Sequence, residues 1–240
     1  MPAPPSAMIE ILHGIEGARR ARGLTVVIDV LRAFSLACYA FAGGVERIIP
    51  VASLQRARAL RRRYPEIVLV GERNGARPPG FDYGNSPSAI LTASLAGRTI
   101  VHATTNGTRG IMAATHAQEI LTGSLVNAAA IAAHIRRRGP ERVSLVCMGT
   151  AGGPAIEDSL CAGYLQGLIS GRPLETASLR QAIFSHPATA KFFDRHQVHF
   201  PLADLELCLC IDAFDFVLQA VPYRDDLLRL EKVRIPEGRN

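Results

Sequence analysis

Six short apolar runs rich in β-branched residues, separated by stretches with helical spacing, constrain this chain more than any other feature. They are "LTVVIDV" (Leu24 to Val30), "RIIPV" (Arg47 to Val51), "EIVLV" (Glu66 to Val70), "RTIVHA" (Arg98 to Ala103), "EILTG" (Glu119 to Gly123) and "RVSLVCMG" (Arg142 to Gly149). Between them, Ser53 to Tyr64, Asn106 to His116 and Leu125 to Gly139 have apolar spacing and terminal arginine or glycine that predict helices. A strand apolar on both faces must be covered on both faces, and strand–helix–strand repetition gives parallel pairing. The expected fold is therefore α/β, a three-layer α/β/α arrangement around a mostly parallel sheet. The stretch "ADLELCLCIDAFDF" (203–216) fits a strand over part of its length and a helix stripe through Leu202, Leu205 and Leu209, and periodicity does not choose between them.

No internal repeat, low-complexity tract or Gly/Ser linker divides the 240 residues, so one domain over 1–240 is expected. The net charge of +6 suits an acidic ligand. The arginine clusters at 19–22, 61–63 and 136–138 fall at ends of helical stretches, where they complement the helix dipole. With no aromatic-interleaved basic segment, nucleic acid is not the expected partner. Five cysteines without a framework or zinc spacing point to a reducing cytoplasm. The start "MPAPPSAM" lacks the pattern of an export leader, and no run is long enough to cross a bilayer, so no membrane association is expected. Cytosolic enzymes of this size often form symmetric homodimers.

In open parallel sheets, ligands bind beyond the carboxyl ends of the strands. Five polar clusters sit there: Asp29 and Arg32 in "IDVLRA"; Glu72, Arg73 and Asn74 in "GERNG"; Asp82, Asn85 and Ser86 in "FDYGNSP"; Thr104 to Thr108 in "TTNGTRG"; and Glu157 and Asp158 after "GTAGGPAI". Thr105, Asn106, Gly107 and Thr108 predict either a phosphate cradle at a helix start or an Asn-Gly turn with a threonine cap. Arg32 and Arg73 are candidates to grip oxyanions. Asp29, Glu72, Glu157 and Asp158 offer the carboxylate oxygens magnesium selects, so that the acids would hold a cation which itself holds an anion. Neither a dinucleotide G-x-G-x-x-G nor a Walker loop is present.

These motifs resemble a known family. "VVIDVLRAFS", "GERNG" followed by "GFDYGNSP", "TTNGTRG", "GSLVNAAAIA" and "IEDSLCAG" stand in the order and spacing of the 2-phosphosulfolactate phosphatase (ComB) family, with a weaker echo in "SHPATAKFF" and "CLCIDAFDF". The resemblance implies a magnesium-dependent phosphatase acting on 2-phospho-3-sulfolactate or a related phospho-hydroxy acid, a step toward coenzyme M. It implies catalytic roles for Asp29, Glu72, Glu157 and Asp158, with Asp29, Glu157 and Asp158 toward the metal. It implies substrate binding by Arg32, Arg73, Asn85, Ser86, Thr105, Asn106, Gly107 and Thr108. "AFSLACYAFAGG" departs from the threonine-rich archaeal pattern, so the reaction type transfers better than the substrate.

Phosphate-monoester hydrolysis requires neutralised oxygen charge and an aimed nucleophile. A carboxylate could activate water or attack directly, and the residues leave both open. His102 and Cys161 are expected to be packing residues. The alternatives are a non-catalytic binder of an anionic metabolite on the same fold, and an RNA-associated protein suggested only by the arginines.

Overall fold

The computed structural model describes residues 7–150, 153–224 and 226–235. The amino-terminal "MPAPPS" and the middle of "GTAGG" lie outside the described residues. In chain order the elements are β1 (Met8–His13), α1 (Gly14–Arg20), β2 (Gly23–Ile28), α2 (Ala33–Ala42), β3 (Arg47–Pro50), α3 (Leu54–Arg63), β4 (Val68–Gly71), α4 (Pro87–Leu91), β5 (Thr99–Ala103), α5 (Gly107–Ala113), β6 (Ala117–Gly123), α6 (Ala128–Arg138), β7 (Arg142–Cys147), α7 (Ile156–Ile169), α8 (Thr176–Phe184), α9 (Leu202–Cys208), β8 (Phe216–Pro222) and β9 (Leu228–Arg234).

The six apolar runs become β2 through β7. β2 is buried from Leu24 to Ile28, so each of its aliphatic side chains contributes about 1.5–3 kcal/mol of burial. The three expected helices form as α3, α5 and α6. Ser53 caps α3 by accepting from Arg56 N, and the arginines of α1, α3 and α6 occupy their last turns as the dipole argument requires. The stretch left open by periodicity splits: α9 takes its first part, and β8 begins at Phe216.

The result is an α/β fold with a nine-stranded, mostly parallel sheet in the order β1-β7-β2-β6-β8-β9-β3-β5-β4, flanked by helices. On one face α1, α2, α4 and α5 pack over a core containing Ala18, Phe34, Leu36, Ile90 and Ile111. On the other, α6, α7 and α8 cover Val26, Ile28, Leu121 and Leu145, and α3 covers Leu69 and Val101. Among the described residues no helix is long and apolar enough to cross a membrane.

Two features go beyond the sequence reading. β1 is an additional edge strand parallel to β7, and the β8/β9 hairpin pairs antiparallel with β6 on one side and β3 on the other. That hairpin divides the sheet into two parallel sets, β1-β7-β2-β6 and β3-β5-β4. Three successive antiparallel pairings between β6 and β3 make the two sets run in opposite directions. Their carboxyl ends nevertheless meet, because Gly107 N, just after β5, donates to Asp29 Oδ2, just after β2, at 2.9 Å. β3 and β9 share a single paired position, Ile48 with Leu230.

Candidate active site

The converging strand ends enclose a cavity of about 280 Å³. Asp29, Arg32, Glu72, Asn74, Asn85, Thr105, Asn106, Gly149 and Thr150 line it, joined by Lys191 and Phe200 from the carboxyl third. Polar clusters far apart in sequence therefore do meet at one place.

Asp29 is fastened by its own backbone and a neighbour's: Oδ1 accepts from Ala33 N at 3.2 Å and Oδ2 from Gly107 N at 2.9 Å. Gly107 must be glycine, since a Cβ there would lie 2.6 Å from Asp29 Oδ2. Glu72 accepts from Thr105 N at 2.6 Å, Thr105 Oγ1 at 3.1 Å and Gly75 N at 2.9 Å. The last bond follows from "GERNG": Asn74 and Gly75 have φ of 54° and 80°, and Arg73 and Ala76 exchange both backbone hydrogen bonds, the geometry Asn-Gly favours in a two-residue hairpin. Asp158 accepts from Val30 N at 2.9 Å and Gly149 N at 2.8 Å, tying β2 to the loop after β7. Glu157, its neighbour in the first turn of α7, is 7% exposed.

Asn106 Nδ2 donates to Gly149 O, so this amide joins two strand-end loops. His102 is fully buried and neutral, its pKa pushed down to about 4 by burial. Its Nε2 meets Asn85 Oδ1 at 3.2 Å, which leaves the amide nitrogen of Asn85 as the donor available to a ligand. His102 thus positions a cavity residue from within the core. Cys161 is buried with its thiol pKa pushed up, burial first and Asp158 next, so it packs as expected.

Several expected site residues are engaged elsewhere. Arg32 is 3% exposed; Nη1 donates to Asp204 Oδ2 at 2.6 Å and to His199 O at 2.8 Å, so this guanidinium is committed to a buried ion pair rather than poised for a bidentate oxyanion. Ser86 caps α4 and donates to Asp204 Oδ1 at 2.8 Å, in an adjoining groove. Thr108 is fully buried and bonded to Thr104. Arg73 Nη1 turns back to Glu72 O at 2.7 Å and does not line the cavity. The start of α5, where a phosphate cradle was one of two readings, holds the Asp29 carboxylate: the protein supplies its own anion there.

The sequence reading missed Lys191, Phe200 and Asp204. Asp204 is wholly buried and accepts from Arg32, Ser86, Ser88 N and Ser88 Oγ, a hub that locks the cavity wall. "SHPATAKFF" was the sole local signal for Lys191.

Electrostatically the acids outweigh the positive charge beside them, which for Glu157 comes from Lys191 and His186. Burial raises the Asp29 pKa to about 7, with Glu72 and Glu157 adding repulsion against the two backbone hydrogen bonds. Burial likewise raises Glu157, and raises Asp158 well above the usual range, with Asp29 and Glu157 contributing. Such a group of acids attracts a cation. Magnesium typically takes one or two carboxylates and completes its six positions with water and substrate oxygens. The donor set fits: Asp29 and Glu72 face the cavity, each oxygen of Asp29 keeps a lone pair beyond its single backbone bond, and Glu157 stands within electrostatic reach of Asp29. Asp158, with both oxygens bound to backbone N–H groups and 2% exposure, is placed as a brace behind them. Among the described residues no three His, Cys, Asp or Glu side chains close into an all-protein metal cage, an arrangement magnesium seldom uses.

The sequence model of the 2-phosphosulpholactate phosphatase family matches residues 10–222. The chain belongs to this family. Similar proteins include a probable 2-phosphosulfolactate phosphatase of Caldicellulosiruptor saccharolyticus, 36% identical over 81% of this chain and 87% of the relative. Those of Bacillus subtilis (31%, covering 88% and 92%) and Caldanaerobacter subterraneus (33%, covering 80% and 85%) carry the same description. By family the protein is a phosphatase, a hydrolase of phosphoric monoesters, and the match spans every strand-end cluster around the cavity.

Proposed function

We propose that the protein is a magnesium-dependent phosphatase that hydrolyses 2-phospho-3-sulfolactate, or a close phospho-hydroxy acid, to the hydroxy acid and phosphate. The observation that supports it most is the meeting of buried acids from separate segments: Asp29 and Glu72 line one small cavity, and Glu157, which does not line it, stands within electrostatic reach of Asp29. Asp29 and Glu157 would hold the cation with Glu72 beside them, and the bound metal would supply neutralisation of the ester's oxygen charge.

The chain's own groups account for the rest. The N–H groups of Ala33 and Gly107 fix the orientation of Asp29. Without the cation, burial holds the Asp29 pKa at about 7, so Asp29 would give up its proton and stay ionised when the cation binds. Asn85 and Asn74 provide neutral donors at the cavity wall. Asp158 holds β2 against the loop after β7, so the acids do not drift apart.

The test is phosphate release from 2-phospho-3-sulfolactate and a panel of phospho-hydroxy acids, with and without chelator. Activity that disappears with chelator and returns with magnesium is expected, as is its loss in Asp29→Asn and Glu157→Gln. Full magnesium-dependent turnover by either variant would remove the assignment. Ligand binding without turnover would favour a non-catalytic anion binder.

A further inference from the structure

The chain contains two lysines, and one of them, Lys191, lines the cavity. It lies in the last turn of the short 3₁₀ segment Pro187–Phe192 and is exposed to solvent. Its ammonium sits 4.7 Å from the centroid of the Phe200 ring and 5.7 Å from that of Phe192. The guanidinium of Arg32 lies over the same two rings, at 4.9 and 5.9 Å. Two cations thus share one aromatic support, an arrangement that costs mutual repulsion unless anions offset it. Asp204 offsets one of them, at 2.6 Å from Arg32. Among the described residues, Glu157 and Glu72 act on Lys191 only through space, without a direct ion pair, and the lysine lines the cavity.

The support itself is built in. Phe200 closes over Gly75, where a Cβ would lie 2.1 Å from its Cζ, and Phe192 is buried against Phe200 edge to face. The acids that line the cavity, Asp29 and Glu72, follow β2 and β4, whereas the lysine comes from the segment after α8. A substrate with a single anionic group would need only the acid wall and its cation. Its remaining neighbours in the cavity, Asn74, Asn85 and Thr105, are neutral.

We infer that Lys191 is a specificity-determining residue: its ammonium binds a second acidic group of the substrate, a sulfonate or carboxylate separate from the ester phosphate. This deepens the phosphatase reading and rests on it for the identity of the ester. The first acidic group goes to the strand-end acids and their cation, and the second to the aromatic-backed lysine. A compact ammonium with three donors suits an anion that arrives from solvent over a rim.

The experiment compares wild type, Lys191→Met, Lys191→Gln and Lys191→Arg on two esters, 2-phospho-3-sulfolactate and p-nitrophenyl phosphate, which lacks a second acid. Calorimetric binding of 3-sulfolactate, which has no phosphate, accompanies the kinetics. Loss of one charge-assisted contact should lower the ratio of kcat/KM values between the two esters at least ~10-fold in the methionine and glutamine variants, mainly through KM. The same variants should bind 3-sulfolactate ~10-fold more weakly or worse, and arginine should restore most of both. A ratio that stays constant while kcat falls equally on both esters would put Lys191 at the phosphoryl group and overturn the inference. So would unchanged 3-sulfolactate binding. Should wild type hydrolyse neither ester, the phosphatase reading fails, while the 3-sulfolactate titrations still decide the role of Lys191.

Discussion

Asn at position 29 would separate what the carboxylate does for the reaction from what it does to the fold. In the folded protein Asp29 titrates at about 7, against an ordinary value of 3.8. The folded state therefore binds this proton more tightly than the unfolded chain, and stability falls as pH rises through the interval between those values, reaching its floor above about 7. From pH 5 to pH 8 the wild-type carboxylate loses about two pH units of protonation advantage, on the order of 3 kcal/mol. Asparagine has no such titration. It brings a pH-independent cost, because it can accept only one of the two N–H groups now bound to Asp29, and the other, from Ala33 or Gly107, is left against an NH₂ for about 1–3 kcal/mol. Urea unfolding in chelator at pH 5 and pH 8 should show Asp29→Asn neutral or destabilised at pH 5 and more stable than wild type at pH 8. The shift between the two conditions should be near 2–3 kcal/mol, with phosphatase activity lost at both. A difference from wild type that is the same at both pH values would refute a buried, cation-seeking carboxylate at this position.

Gly107→Ala would thrust a methyl group against Asp29 Oδ2 and Ala33 Cβ, 2.6 and 3.0 Å away, and a displaced Asp29 should lower kcat/KM about 10²-fold. A far milder loss of stability in the same variant, measured by thermal melting, would locate the damage at the site. Asp204→Asn removes the partner of a guanidinium that is 3% exposed, and urea unfolding should show a loss of about 3–5 kcal/mol. Iodoacetamide on the native protein at pH 8 should modify Cys210 ahead of the buried Cys38, Cys147, Cys161 and Cys208 and leave turnover intact, read by mass spectrometry beside the activity assay.

The apolar runs of β2 to β7 and the spacing of α3 and α6 were legible because local burial and local periodicity encode them directly. Asp29, Glu72, Asn85, Thr105 and Asn106 were legible for a related reason: strand ends in a parallel sheet point polar residues to a common rim, so naming the strands nominates the rim. Two kinds of information were not local. The β8/β9 hairpin enters the middle of the sheet from the end of the chain, and only the assembled sheet shows that it reverses one parallel set and that Gly107, after β5, still meets Asp29, after β2. Partner choice was equally hidden. Arg32 and Ser86 looked free to bind a ligand until Asp204, more than a hundred residues away, claimed both.

What the sequence determined by itself was which residue types would be available and which backbone each would stand on, since capping, turn geometry and strand burial act within a few residues. Which acids share a charge field, which arginine is already neutralised and which lysine lines the cavity were settled by the tertiary structure. Coulomb energy and desolvation depend on distance through space, and chain order does not specify that distance.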